Sequence, residues 1–216
     1  MRNFSAAVCG HVDREIEAFL LSIRVFGQLA LDEGDRGSNV NHDIAWHKAY
    51  EHAVKNNNPW CLVLEDDTVI QPSFEQELPA ILNKVPPDGI CSLYTGTSRP
   101  PQYQERINQA LSFASLGGAT FLRHTYLLWG VAVAIPTNKV PDMLGFVQDF
   151  PKLPYDYRIG EWMVARGLAC YYTVPSIVDH YDGPTLIDHP DKQLRTQPRK
   201  AWSVGSPLLN GLHVDL

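Results

Sequence analysis

The chain has 216 residues, 44% of them hydrophobic and 19% charged, with a formal net charge of -6. That length supports one domain with a substantial core, and the acidic balance argues against a protein that grips duplex nucleic acid by its phosphates, which takes a broad basic face. No apolar run reaches membrane-spanning length, and the N-terminal residues lack the basic region and apolar core of a secretory signal, so a cytoplasmic protein is expected.

In chain order, Phe4 to Gly10 reads as a first strand, and Gly10-His11-Val12-Asp13 as a turn in which Asp13 caps the next helix. That helix, Arg14 to Phe26, is expected to turn Ile16, Leu20, Ile23 and Val25 toward the core and to stop at Gly27. Gln28 to Leu31 follows as a short strand that opens into the polar loop Asp32 to Ser38. A second amphipathic helix runs from Asn39 to about Lys55, with Ile44, Ala45, Ala49 and Ala53 inward, and ends at Asn56-Asn57-Asn58-Pro59. Neither the glycine fingerprint of dinucleotide folds nor a phosphate loop with Lys-Ser/Thr accompanies this strand, turn and helix opening.

Trp60 to Leu64 is an apolar run too short for a helix, and it ends in Glu65-Asp66-Asp67. In an open α/β sheet the carboxyl ends of strands face the ligand crevice, so these three acids are placed where a substrate would sit. They repel one another unless a cation or a sugar hydroxyl shares the site, and their hard oxygen ligands suit Mg²⁺ or Mn²⁺ rather than zinc. The competing reading is a solvated acidic turn.

Helices are expected from Pro72 to Leu82, Gln104 to Phe113, Pro136 to Val147 and Asp156 to Ala165, and strands over Gly89 to Gly96, Val131 to Ile135 and Tyr171 to Val178, with a mixed apolar segment from Phe121 to Leu128. The alternation predicts an α/β fold, a mostly parallel sheet flanked by helices with a small antiparallel part in the second half. Cys9, Cys61, Cys91 and Cys170 are scattered without a C-x-x-C pair and read as buried thiols.

Asn41-His42-x-x-x-Trp46 followed by Leu62-Val63-Leu64-Glu65-Asp66-Asp67, with Trp129-Gly130-Val131-Ala132 and Tyr171-x-x-x-Pro175-Ser176-Ile177-Val178-x-His180 further on, resembles the GT-A-fold glycosyltransferases of the family 25 type. The order of these stretches resembles that family from about residue 4 to 187. Tyr155-Asp156-x-Arg158-Ile159-Gly160, Pro175-Ser176-x-Val178-Asp179-His180 and Gly183-Pro184-Thr185 are most similar to small actinobacteriophage glycosyltransferases, whose setting would be the host cytoplasm. Asn41 stands where family 25 usually has Ser, and the chain is shorter than that family, so its acceptor side does not carry across.

The resemblance implies a Rossmann-like GT-A domain over 1–187 and a tail over 188–216, with Mn²⁺ or Mg²⁺ bridging the diphosphate of a UDP-sugar. Asp67 would be the direct metal ligand, with Glu65 toward the metal and the donor ribose or sugar, Asp66 assisting, and His180 completing the shell. For an inverting transfer, Asp156 is the first candidate for general base and Glu161 the second. A helix N-terminus favours the charged form of Asp156, which can equally serve as a simple helix cap. His11 and Arg14 would contact the uracil or phosphates, Asp32 or Asp35 the ribose or base, and His42 the donor pocket, with Trp46 as packing. Arg199 and Lys200, in the basic tail that also holds Lys192 and Arg195, would fold over the diphosphate as a lid. Acceptors consistent with this are a modified DNA base, a virion protein or a glycan. The other readings open at this point are a non-catalytic carbohydrate-binding or virion-associated module of the same fold, and a metal-dependent phosphohydrolase or nuclease, which would need further acids on other strand ends and a basic track.

Overall fold

A computed structural model of the chain describes residues 2–183 and 198–216. Strand β1 (Phe4–His11) is buried along nearly its whole length because it lies inside a sheet covered on both faces. It is followed by α1 (Glu15–Arg24), reached through a single 3-10 turn at Val12–Arg14, then by β2 (Gln28–Asp32), α2 (Ser38–Asn56) and β3 (Trp60–Glu65). β1 pairs in parallel with β2 on one side and β3 on the other, which is the parallel α/β opening that alternating strand and helix predicts.

The second half adds β4 (Thr68–Ile70), α3 (Phe74–Leu82), β5 (Gly89–Ser92), α4 (Gln104–Gly117), β6 (Phe121–His124), β7 (Ala132–Pro136), α5 (Val140–Val147), α6 (Tyr155–Arg166), β8 (Ala169–Thr173), β9 (Val178–His180) and β10 (His213–Asp215). Eight strands form one sheet in the order β10-β6-β8-β5-β7-β3-β1-β2, and β4 pairs with β9 in a separate two-stranded ribbon. The expected α/β class holds. The antiparallel part is larger and more central than expected, because β7 runs antiparallel between β3 and β5, and β6 antiparallel to β8. Trp60 to Leu64 are fully or almost fully buried between β1 and β7, and each such aliphatic side chain contributes about 1.5–3 kcal/mol of transfer free energy.

The first helix differs from expectation. Ile16, Leu20 and Ile23 are exposed, while Ala18, Leu21, Ser22 and Val25 face the sheet. The cause is close approach: a Cβ on Gly10 would lie 2.6 Å from the Cβ of Ala18, so the helix settles on β1 along its small-residue line rather than its bulky one. Asp13 is not the cap either. The His11 ring accepts the Asp13 N–H at 3.2 Å, and Asp13 lies inside the turn.

The strand expected over Tyr171 to Val178 breaks after Thr173. Beyond it the chain turns away from the main sheet, and Val178–His180 pairs instead with Thr68–Ile70. From Pro198 onward the chain is bound into the domain rather than forming a separate tail. Thr97 N–H donates to the Lys200 carbonyl at 2.8 Å, Trp202 N–H to Thr95 at 2.9 Å, and β10 extends the sheet in parallel beside β6. The expected boundary at residue 187, together with Lys192 and Arg195, lies outside the described residues.

α2, α5 and α6 pack on one another through an ion pair at their meeting point. The Arg158 guanidinium, 3% exposed, donates to both carboxylate oxygens of Asp43 at 3.1–3.2 Å and to the Val147 carbonyl at 3.0 Å. This fixes the start of α6 against α2, and both helices carry residues of the site.

Candidate functional site

The three acids leave β3 in different directions. Asp66 turns back toward the β1–α1 junction, where it accepts the His11 N–H at 2.9 Å and the Arg14 guanidinium at 2.9 Å. The same Arg14 Nη1 also donates to Asp67 Oδ2 at 2.7 Å, so that it bridges the two carboxylates, and His180 Nε2 lies 3.3 Å from that Asp67 oxygen. His180 arrives there because β9 lies antiparallel on β4 with Thr68 opposite His180, and the Tyr181 N–H donates to the Asp67 carbonyl at 2.8 Å. Glu65 lies 3.7 Å from His42 Nε2 through its Oε1.

Glu65, Asp67 and His180 each offer a ligand atom, and all three atoms fall within 4.8 Å of one another. The buried Oδ1 of Asp67 has no hydrogen-bond partner. Two carboxylates and one imidazole suit Mn²⁺ or Mg²⁺ better than a thiolate-seeking ion. Burial depresses the His180 pKa to about 4, with Arg199 adding to the effect, so the ring is neutral and has a lone pair to give at neutral pH. Burial, followed by the charges of Glu65 and Asp66, raises the Asp67 pKa. A dication would relieve that raised state. The residues present therefore fit a divalent cation.

Burial would also raise Glu65, but the nearby His42 ring, with His180 and Arg199 adding to it, holds its pKa below the usual value. The His42 ring stacks on Tyr155 with centroids 3.7 Å apart, and its Nδ1 meets the Ser38 carbonyl at 2.9 Å. A neutral ring that donates from Nδ1 presents its Nε2 lone pair to Glu65, so the pair is favourable only when it shares a proton. Tyr155 is held in turn by Trp46, whose indole N–H donates to the phenol oxygen at 3.2 Å. Gly130 permits the approach: a Cβ there would sit 2.7 Å from the Tyr155 ring and 3.3 Å from Glu65 Oε1.

Arg199 comes from the C-terminal segment. Its backbone N–H donates to Asp182 at 3.1 Å, and its Nε and Nη2 are buried without a hydrogen-bond partner. Its charge is felt at Glu65, Asp67 and His180. Asp156, at the first turn of α6, is half-buried and accepts its neighbour's N–H at 3.0 Å. Burial, then the Glu65 charge, pushes its pKa up to about 7.

Among solved structures, the chain is similar to that of a glycosyltransferase involved in the glycosylation of the major capsid of PBCV-1, at 11% identity over 78% of this chain and 93% of that one, with a TM-score of 0.34. No family model matches the sequence, and neither does any curated protein.

The structure thus brings together Glu65, Asp66, Asp67, Arg14, His42, His180 and Arg199, with His11 and Asp156 at the margins. Other expected site residues are engaged elsewhere. Both oxygens of Asp32 accept backbone N–H groups of its own loop, from Gly34, Asp35, Arg36 and Gly37, so Asp32 shapes that loop. Asp35 is exposed beside Arg36. Lys200 faces Asp179 at 3.5 Å, and Glu161 accepts the Tyr126 hydroxyl at 3.2 Å. Tyr155 and Gly130 escaped the sequence reading as parts of the site. Asp179 anchors the C-terminal segment by accepting the Ala201 N–H at 2.8 Å. The Trp129-Gly130 pair carried a signal for Gly130, because a glycine beside a buried aromatic often marks a close approach.

Proposed function

We propose that the chain is a metal-dependent glycosyltransferase of the GT-A type that moves a sugar from a UDP-sugar to a hydroxyl acceptor with inversion. One observation carries the reading. A buried acceptor without a hydrogen-bond partner, Asp67 Oδ1, and a buried donor without one, Arg199 Nη2, belong to the same cluster of charges, in which Arg199 Nε lies 3.8 Å from Asp182. A ligand that satisfies both must carry a cation and an anion together, which describes a metal–diphosphate. The alternating motifs from Asn41 to His180 support the same class.

Asp67, His180 and Glu65 would hold the ion, which when bound supplies Lewis-acid neutralisation of the diphosphate leaving group. Arg14 and Arg199 add fixed positive charge for the phosphates. Glu65, steadied by His42, is directed at the donor ribose or sugar. Asp156 accepts the proton of the incoming hydroxyl, a role suited to a carboxylate whose pKa lies near the working pH. The C-terminal segment that carries Arg199 would close over the donor diphosphate, and the acceptor is a modified DNA base, a virion protein or a glycan.

The test is thermal stability with a panel of nucleoside diphosphate sugars, each with and without Mn²⁺. A ligand bound by the native state alone raises the melting point. The expected outcome is a metal-dependent rise with one uridine donor that disappears in Asp67→Ala. If no donor shifts the melting point in the presence of metal, the transferase reading fails and a non-catalytic module of the same fold takes its place.

A further inference from the structure

The bulky face of α1 that the sequence assigns to the core is on the outside. Val12, Ile16, Phe19, Leu20, Ile23 and Phe26 are 40–72% exposed and, at helical spacing, form one continuous stripe along α1 and its two ends. No described residue covers it. Together they expose on the order of 600 Å² of mostly apolar surface, at the top of the range for the largest patch on a monomer and approaching the ~800 Å² that each partner hides in a standard interface.

The charges beside the stripe identify what covers it. On one flank, Glu17 stands at the N-terminal half and Arg24 seven residues later at the C-terminal half, both exposed. On the other flank, Glu15 stands near the start, and at the far end the Arg2 guanidinium lies 4.3 Å from the centre of the Phe26 ring, donates to the Val25 carbonyl at 3.0 Å and lies 3.7 Å from Glu75. The first flank is therefore acidic at one end and basic at the other, and the second carries the same order of charges with its basic end already beside Glu75. In an antiparallel helix pair each flank meets its own copy running the opposite way. A two-fold axis beside Leu20 then puts Glu17 opposite Arg24 of the second chain and Glu15 opposite its Arg2. We propose that the chain forms a symmetric dimer through antiparallel packing of α1 on α1 of a second copy. An anionic membrane is a poor alternative occupant, because Asp13, Glu15 and Glu17 crowd one end of the stripe. Arg24 remains free to pair, since its one hydrogen bond is a 3.4 Å contact from Nη2 to the Gln71 carbonyl.

Sedimentation velocity over a range of micromolar concentrations tests this directly. The 216-residue chain should sediment at twice its 24.2 kDa mass. Leu20→Asp should be monomeric with an unchanged circular-dichroism spectrum. Glu17→Arg and Arg24→Glu should each weaken association by about tenfold, since symmetry counts every pair twice. The double variant carrying both reversals should dimerise like the original, an outcome that a merely sticky surface would not give. A wild-type monomer at every concentration, a Leu20→Asp dimer, or a double reversal no better than the singles overturns the proposal. So does a wild-type monomer that pellets with phosphatidylserine vesicles, which would assign the stripe to a lipid surface.

Discussion

At neutral pH, Asp156 sits near its own midpoint, and this has opposite consequences for stability and for catalysis. Its folded-state pKa, about 7, lies above the unfolded value of 3.8, so the folded protein binds the proton more tightly and loses stability as pH rises from the carboxylate range through about 7. Asp156→Asn removes that cost. Allowing for its partial exposure, the variant should be on the order of 1–2 kcal/mol more stable than wild type near pH 8 and about equal to it near pH 4. Under the proposed function it should also lose most sugar transfer. Urea titrations at the two pH values check the first expectation, and product formation the second. Asn41 gives a second test. Its amide donates to the Gly10 carbonyl at 2.9 Å and to the Ala30 carbonyl at 3.0 Å, tying the ends of β1 and β2 to α2. A serine has one proton for two carbonyls, so Asn41→Ser should cost about 1–2 kcal/mol, read as a lower urea midpoint. At this scale the sequence was most informative where chemistry is compressed into a short run: Glu65 and Asp67 follow directly from a strand that ends in acid. Asp32 was misleading because an acid in a glycine-rich loop looks alike whether it binds a ribose or its own backbone. Only the four N–H groups around it decide.

Elements explain why some motifs were readable without their partners being so. Asn41, His42, Asp43 and Trp46 occupy one end of α2, while Tyr155, Asp156, Arg158 and Gly160 occupy the start of α6, and the two sets interlock. His42 stacks on Tyr155, Trp46 donates to it, and Asp43 pairs with Arg158. Each set was visible as a pattern, but their contact spans more than a hundred residues and leaves no local signature. Asp43→Ala would strand a buried guanidinium and should cost about 3 kcal/mol, while loosening the start of α6 enough to weaken donor-dependent stabilisation. Gly130→Ala should act on the site more than on the fold. Its methyl meets the Tyr155 ring and Glu65, so a drop in donor affinity of tenfold or more should accompany a destabilisation of about 1–3 kcal/mol. The face of α1 could not be read correctly from periodicity, which locates a hydrophobic stripe without saying what it meets. The small pair Gly10 and Ala18 decides that, and it takes the opposite side of the helix.

Across the whole molecule, the site is assembled from distant parts of the chain: Arg14 after β1, three acids after β3, His180 after the two-stranded ribbon, and Arg199 from the returning C-terminal segment. The ribbon was missed because β4 and β9 have three residues each, below the length at which alternation can be seen. Under the proposed function, Arg199→Ala should leave the fold intact and reduce UDP-sugar affinity by about tenfold or more, measurable by calorimetry in the presence of Mn²⁺. The four cysteines, expected as buried thiols, are all free and buried, and burial pushes the Cys61 thiol up to about 11 and the Cys170 thiol up to about 12. Maleimide reagents attack exposed thiolate, so the folded protein should resist them and react at Cys61 and Cys170 only as it opens. Its own labelling rate then becomes a clock for unfolding. A single cysteine introduced at Leu116, which is 87% exposed, would accept a fluorophore with almost no background.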